Sequence, residues 1–224
     1  MFWLKGRGQK SSVDTLIIIG AHRDELAFGD KVVEVLDRDQ VAVLRIPQGI
    51  VGDRPRPDQA AAFTRRHQDL YRQILDHIEP QHRLVIDVHC GLGGTARTAD
   101  VFCHWLEMLS CLETGTASRG SLGTVRGVRL VASTTFDDGA DPFPSRPIAT
   151  SPISEALWRN RNPVYVGLEV YLAEQGAGAP KDWEFARALI ADMRICRREL
   201  AQQGRSDIRP ATNGHKDRGI TLHR

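Results

Sequence analysis

Three short apolar runs, each followed by polar or helix-length sequence, constrain this chain more than any other feature. They are Thr15–Gly20 (TLIIIG), Val41–Ile46 and Arg83–His89, the last carrying Leu84, Val85, Ile86 and Val88. Each is short enough for a strand and apolar enough to be buried on both faces, as in a parallel sheet. The stretch Asp24–Leu36 repeats Leu26, Val32, Val33 and Leu36 near helical spacing. In Pro57–Ile78, Phe63, Leu70, Ile74 and Ile78 line one face, and Arg65, Arg66, Asp69, Arg72 and Asp76 fill the rest before Pro80 ends the helix. The order β-α-β-α-β demands a parallel sheet with right-handed crossovers. The segment 47–58, rich in Pro and Gly, is long for a simple connector and is expected to be a functional loop.

Further along, Ala99–Cys103 fits a strand. Trp105–Leu112 stays open between strand and helix, and Val125–Thr135 between one strand and two interrupted at Gly127, so the fold of 99–147 is left undecided. Ser151–Arg161 reads as a helix with Ser151 as cap and Pro152 in its first position. Pro163–Tyr171 is a strong strand and Trp183–Leu200 a helix. The expected architecture is a single α/β domain with an open, mostly parallel mixed sheet flanked by helices. It spans residues 15–203, between a basic segment, 1–14, and a basic tail, 204–224, expected to be disordered because it is polar and aperiodic.

Composition supports this and removes other classes. The 224 residues are 41% hydrophobic and 26% charged, which is ordinary globular usage. The longest apolar runs, Leu16–Ile19 and Val164–Val166, fall far short of the roughly 18 residues a membrane span needs. The net charge of +2 is unevenly spread: Lys5, Arg7 and Lys10 open the chain, and the tail carries five basic residues against two acidic, so the region between is mildly acidic. A nucleic-acid-binding core has the opposite distribution, and no nucleic acid partner is expected. The four cysteines, Cys90, Cys103, Cys111 and Cys196, form no CxxC. No apolar segment of a secretory signal follows the basic start. Free thiols and a cytoplasmic location are the resulting expectations.

Ligands of open parallel sheets bind beyond the carboxyl ends of the strands. His22 and Glu25 follow the first strand in GAHRDE, and Asp87 and His89 end the third in VIDVHC. Glu169 interrupts the apolar strand PVYVGLEVYL, where an unpaired buried carboxylate would be costly. Three residues apart at a strand-to-helix turn, His22 and Glu25 can grip one cation. Two imidazoles and a carboxylate, with the fourth position open, make a catalytic zinc site. Asp87 shares a strand face with His89, so it can orient that imidazole or line the pocket. Glu169 can take a proton from the attacking water and pass it to a leaving nitrogen.

This order of residues resembles the succinylglutamate desuccinylase/aspartoacylase family of the zinc carboxypeptidase-like clan. The match lies in Gly20, His22 and Glu25, then Asp87 and His89, then Glu169, and covers about residues 15–172. The resemblance implies a zinc-dependent amidohydrolase with one zinc per chain. His22, Glu25 and His89 would be its ligands and Glu169 its general base. The substrate would be a small N-acyl amino acid or similar carboxylate. Two departures stand out. Arg23 and Asp24 replace a Gly and Asn usual in the motif, and the family's Asn-Arg pair is missing from the loop after the second strand. Arg54 and Arg56 in GDRPRPD stand there instead, where either would polarise the scissile carbonyl or bind a carboxylate, or both are solvated loop residues. The stretch AFTRRHQDLYRQILDHIEPQHRLVIDVHCG also resembles N-formylglutamate amidohydrolases, with related chemistry. A non-catalytic binding protein on the same fold is the rival from another class.

Other features count for less. Cys90 points away from His89 if both lie in a strand, which argues against a Cys/His nucleophile. Gly91, Gly93 and Gly94 match no phosphate-binding motif and read as a flexible pocket-rim loop. No G-x-S-x-G occurs. His67, His77 and His82 read as surface residues, and His104 is left unplaced. Asp137, Asp138 and Asp141 read as solvated turn carboxylates rather than a hard-cation site. Arg97 contacts an anionic substrate or is a plain surface residue.

Overall fold

The computed structural model describes residues 13–52, 56–93, 96–118, 123–132 and 146–206. Seven strands form one sheet: β1 (Thr15–Ile19), β2 (Ala42–Arg45), β3 (Leu84–Leu92), β4 (Thr98–Cys103), β5 (Thr124–Val131), β6 (Ile148–Thr150) and β7 (Val164–Leu172). Their order is β2-β1-β3-β7-β4-β5-β6. Every neighbouring pair is parallel except β4 and β7. The expected open, mostly parallel mixed sheet is therefore the architecture found.

Register follows from burial. The five residues of β1 are all buried, flanked by β2 and β3, with Ile18 opposite both Leu44 and Asp87. The longest pairing joins β3 to β7 and sets His89 opposite Glu169 and Gly91 opposite Tyr171. In parallel strands in register, such partners share one face.

Helices cover both faces. On one side α1 (Leu26–Val33), α3 (Leu106–Ser118) and α5 (Pro180–Ser206) pack Phe28, Val32, Met108, Leu109, Phe185 and Met193 against Ile17, Ile86 and Val166. On the other, α2 (Ala60–Leu75) and α4 (Glu155–Trp158) pack Leu70, Tyr71, Ile74 and Trp158 against Ile18, Val85 and Tyr165. Arg187 of α5 donates to the carbonyls of Lys31 and Val32, satisfying free acceptors at the end of α1.

Several expectations change. The helix expected over Asp24–Leu36 divides into a 3-10 turn, Arg23–Glu25, and α1. Of the undecided segment Trp105–Leu112, residues 106–112 are helix, the start of α3, and 124–131 form one strand. The helix expected over 151–161 shrinks to α4, capped by Ser154, whose hydroxyl accepts from Ala156 N. The Ser151 hydroxyl instead accepts from Ile153 N, closing a turn ahead of the helix. Gly91 belongs to β3 rather than to a flexible loop. Asp137, Asp138, Asp141 and Gly94 lie outside the described residues.

The expectation of free thiols is also corrected. Cys111 of α3 and Cys196 of α5 form a disulfide, with Cα atoms 5.8 Å apart, while Cys90 and Cys103 are free. The two helices lie side by side, and the 85-residue separation hid the pairing. A disulfide removes one ground for the cytoplasmic expectation. No helix among the described residues is long and apolar enough to cross a membrane.

Candidate metal centre

The site is built where β1 and β3 end. After β1 the chain turns at Gly20, whose φ of +78° and closeness to Ile46 O leave no space for a side chain. The following residues are laced to the 46–50 segment: Ile50 N donates to Ala21 O, and Arg23 N to Ile50 O. His22 is thereby fixed just before the 3-10 turn that carries Glu25. His89, near the end of β3, approaches from the neighbouring strand.

The three side chains meet. His22 Nδ1 lies 2.9 Å from Glu25 Oε1, and His89 Nδ1 lies 2.7 Å from Glu25 Oε2. One ligand atom from each residue lies within 4.8 Å of the others. Glu25 and His89 are largely buried, at 15% and 17% side-chain exposure, while His22 keeps 34% and opens the site to solvent. Burial opposes the charge on Glu25, yet His89 and His22 together hold its pKa below the usual carboxylate value. Burial likewise opposes a charge on His89, but Asp87 and Glu25 outweigh it and raise its pKa well above the usual histidine value.

This donor set fits a zinc ion. Two imidazole nitrogens face one carboxylate, and each pair needs a proton or a cation between the two atoms. Nitrogen and oxygen donors of this kind suit zinc. The outer nitrogen of each imidazole is also engaged, as metal-bound histidines require. His89 Nε2 lies 3.2 Å from Asp87 Oδ2. His22 Nε2 lies 3.0 Å from His67 Nε2.

Asp87 is fully buried. The hydroxyls of Tyr71 and Tyr165 donate to its Oδ2, at 2.5 and 2.9 Å. Burial works against its charge, but His89 and the two hydroxyls keep its pKa below the usual value. Its other oxygen, Oδ1, has no partner among the described residues. Both tyrosine pKa values are driven well up by burial and by Asp87, so both hydroxyls remain donors.

Glu169 stands opposite His89 on β7. Its Oε1 lies over Gly91, where a Cβ would come within 2.8 Å. Burial raises its pKa above the usual carboxylate value. Beside it, Asp100 of β4 occupies the register position opposite Glu169. Asp100 accepts from Tyr171 at 2.8 Å and pairs with both nitrogens of the Arg126 fork, at 2.7 and 2.5 Å. Burial and Asp100 push the Tyr171 hydroxyl up to about 12. Burial likewise takes the Cys90 thiol to about 12, which leaves it inert as a nucleophile.

Among the described residues, neither Arg56 nor Arg97 takes part in the hydrogen bonds and ion pairs of this cluster. Arg54 lies outside the described residues. Arg56 is exposed, just before the 3-10 turn that leads into α2. Arg97 is half-buried, and its carbonyl accepts from Thr124 N at the start of β5.

Sequence reading missed His67 and the tyrosines. His67 and His82 are buried rather than on the surface, and His77 is half-buried. The signal for His67 was present: Phe63, His67, Leu70 and Ile74 follow helical spacing, so the histidine sits within the apolar stripe. Burial lowers the pKa of both His67 and His82. Tyr71 is a stripe residue of the same helix and Tyr165 a strand residue, and nothing local linked either to Asp87.

No family model matches the sequence, and no curated protein matches it. Among solved structures, the chain is similar to murine aminoacylase 3, with 13% identity, a TM-score of 0.48, and coverage of 88% of this chain and 67% of that one. It is also similar to a bacteriophage poly-gamma-glutamate hydrolase, with 10% identity, a TM-score of 0.43, and coverage of 85% and 86%. A third similar structure is the CwlD amidase of Clostridioides difficile, with 10% identity, a TM-score of 0.42, and coverage of 85% and 99%.

Proposed function

We propose that this protein is a zinc-dependent hydrolase cleaving an amide bond in a small carboxylate-bearing substrate, an N-acyl amino acid deacylase of the succinylglutamate desuccinylase/aspartoacylase type. The observation that carries the reading is the meeting of His22, Glu25 and His89, one ligand atom of each within 4.8 Å of the others, with Glu169 opposite His89 on the adjacent strand. Those three residues hold the ion. Zinc supplies a Lewis acid for the scissile carbonyl and makes water a nucleophile near neutral pH.

The protein residues divide the remaining work. Asp87 orients His89 and offsets positive charge at the site. Glu169 accepts a proton from the attacking water and returns it to the departing nitrogen; its raised pKa brings it closer to the range suited to such exchange. A substrate carboxylate or developing oxyanion would call for a cation from the rim, for which Arg54, Arg56 and Arg97 are the candidates.

The test is turnover of a panel of N-acyl amino acids, formyl-, acetyl-, succinyl- and aspartyl-based, by zinc-loaded wild type and Glu169→Gln. The reading expects wild-type turnover of at least one member, with the variant binding zinc but inactive. A preference for N-formylglutamate would move the assignment to the deformylase type. Zinc-loaded wild type that turns over nothing would favour a non-catalytic binding protein.

A further inference from the structure

We infer that His67 is a positioning residue for the metal centre: by accepting a hydrogen bond from His22 Nε2–H, it fixes the ring form that turns the His22 Nδ1 lone pair toward the metal. This rests on the proposed zinc site, and the experiment below separates the two.

His67 Nδ1 lies 2.9 Å from the carbonyl oxygen of Phe63, four residues earlier in α2. A carbonyl can only accept, so His67 Nδ1 carries a hydrogen and donates it. His67 Nε2 lies 3.0 Å from His22 Nε2. Two ring nitrogens at that distance share one hydrogen: one donates and the other accepts. With a cation on His22 Nδ1, the ring's hydrogen must sit on Nε2. His67 Nε2 then has to be the acceptor, and its Nδ1–H bond to Phe63 leaves that lone pair free for the purpose. A single arrangement of hydrogens satisfies Phe63, His67, His22 and the cation together.

The surroundings hold His67 for this role. It is buried, at 6% exposure, and its ring lies 4.1 Å from that of Phe63, centroid to centroid. Buried with its ring, the Nε2 lone pair of His67 needs a donor of its own. That nitrogen is directed at another imidazole. The site thus has two supports of different chemistry: the Asp87 carboxylate beyond His89 and a neutral imidazole acceptor beyond His22. A second carboxylate behind His22 would add negative charge to a site that already holds Glu25 and Asp87.

The test uses the full chain, with zinc affinity measured by competition against a chromophoric chelator and the ring nitrogens observed by 15N NMR. His67→Phe keeps the ring shape and removes the acceptor; affinity is expected to fall by about 10- to 100-fold. His67→Gln can place an amide oxygen where Nε2 stood, and most of that affinity should return. In zinc-loaded wild type, His22 should carry its hydrogen on Nε2 and His67 on Nδ1. Wild-type affinity in His67→Phe, or a His22 hydrogen on Nδ1 in the zinc-loaded protein, would overturn the inference while leaving the zinc site standing. Should His67→Phe fail to fold, the NMR result on wild type decides the matter alone. A folded wild type that takes up no zinc overturns both readings.

Discussion

Replacing Asp87 by asparagine probes the support of the site without touching a proposed ligand. Asp87 is fully buried, and its Oδ2 receives Tyr71, Tyr165 and His89 Nε2. Breaking a buried ion pair by removing one charge costs about 3–5 kcal/mol. The amide oxygen can still accept from both tyrosines, which holds the expected loss to the lower end, about 3 kcal/mol. The amide NH2 takes the place of Oδ1, which has no partner among the described residues, so rotating the amide gives no relief. The loss should appear in urea unfolding of the metal-free protein as a lower midpoint with an unchanged slope. Zinc affinity should fall separately by about 10- to 100-fold, because His89 loses the group that orients its ring and strengthens its donor nitrogen. Wild-type zinc affinity in a folded Asp87→Asn protein would refute the claim that Asp87 acts through His89.

Three further outcomes are expected. Burial raises the Glu169 pKa, and the base acts as a carboxylate, so kcat/KM should rise with pH through a value above the ordinary 4.5 for glutamate; an acid limb at or below 4.5 would exclude Glu169 as the titrating base. In Gly91→Ala, the new Cβ would sit 2.8 Å from Glu169 Oε1 and must push the carboxylate aside. Turnover should then fall by about 100-fold while thermal unfolding changes little; equal losses in both would mean the residue matters only for packing. Cys111→Ser or reduction of the disulfide opens a link spanning 85 residues and should destabilise the fold by roughly 4 kcal/mol, read as a lower Tm, with zinc affinity unaltered.

The central strands were legible because burial on both faces of a parallel sheet leaves continuous apolar runs, and β1, β3 and β7 are such runs. The strand-end positions of His22 and His89 followed from the same pattern, because polar residues directly after buried strands stand at the rim where connections leave the sheet. What stayed hidden was long-range. β4 returns antiparallel beside β7, a partner more than sixty residues away in sequence, so neither its place nor the pairing of Asp100 with Glu169 had a local signal. The Cys111–Cys196 bridge depends on how α3 meets α5. Ser151 and Ser154 both have cap chemistry, and only the backbone path separates a turn from a helix start. His67 differs: its residue type suggests the surface, while its position lies in the buried stripe of α2.

The most direct test of the central claim is the zinc content of the purified, folded chain after incubation with zinc and removal of excess. Wild type and Glu169→Gln should each bind one equivalent, and His22→Ala and His89→Ala chains that remain folded by circular dichroism should lose most of it. Wild type that is folded and binds no zinc, or alanine variants that bind it as wild type does, would contradict the assignment of His22, Glu25 and His89 as a metal centre.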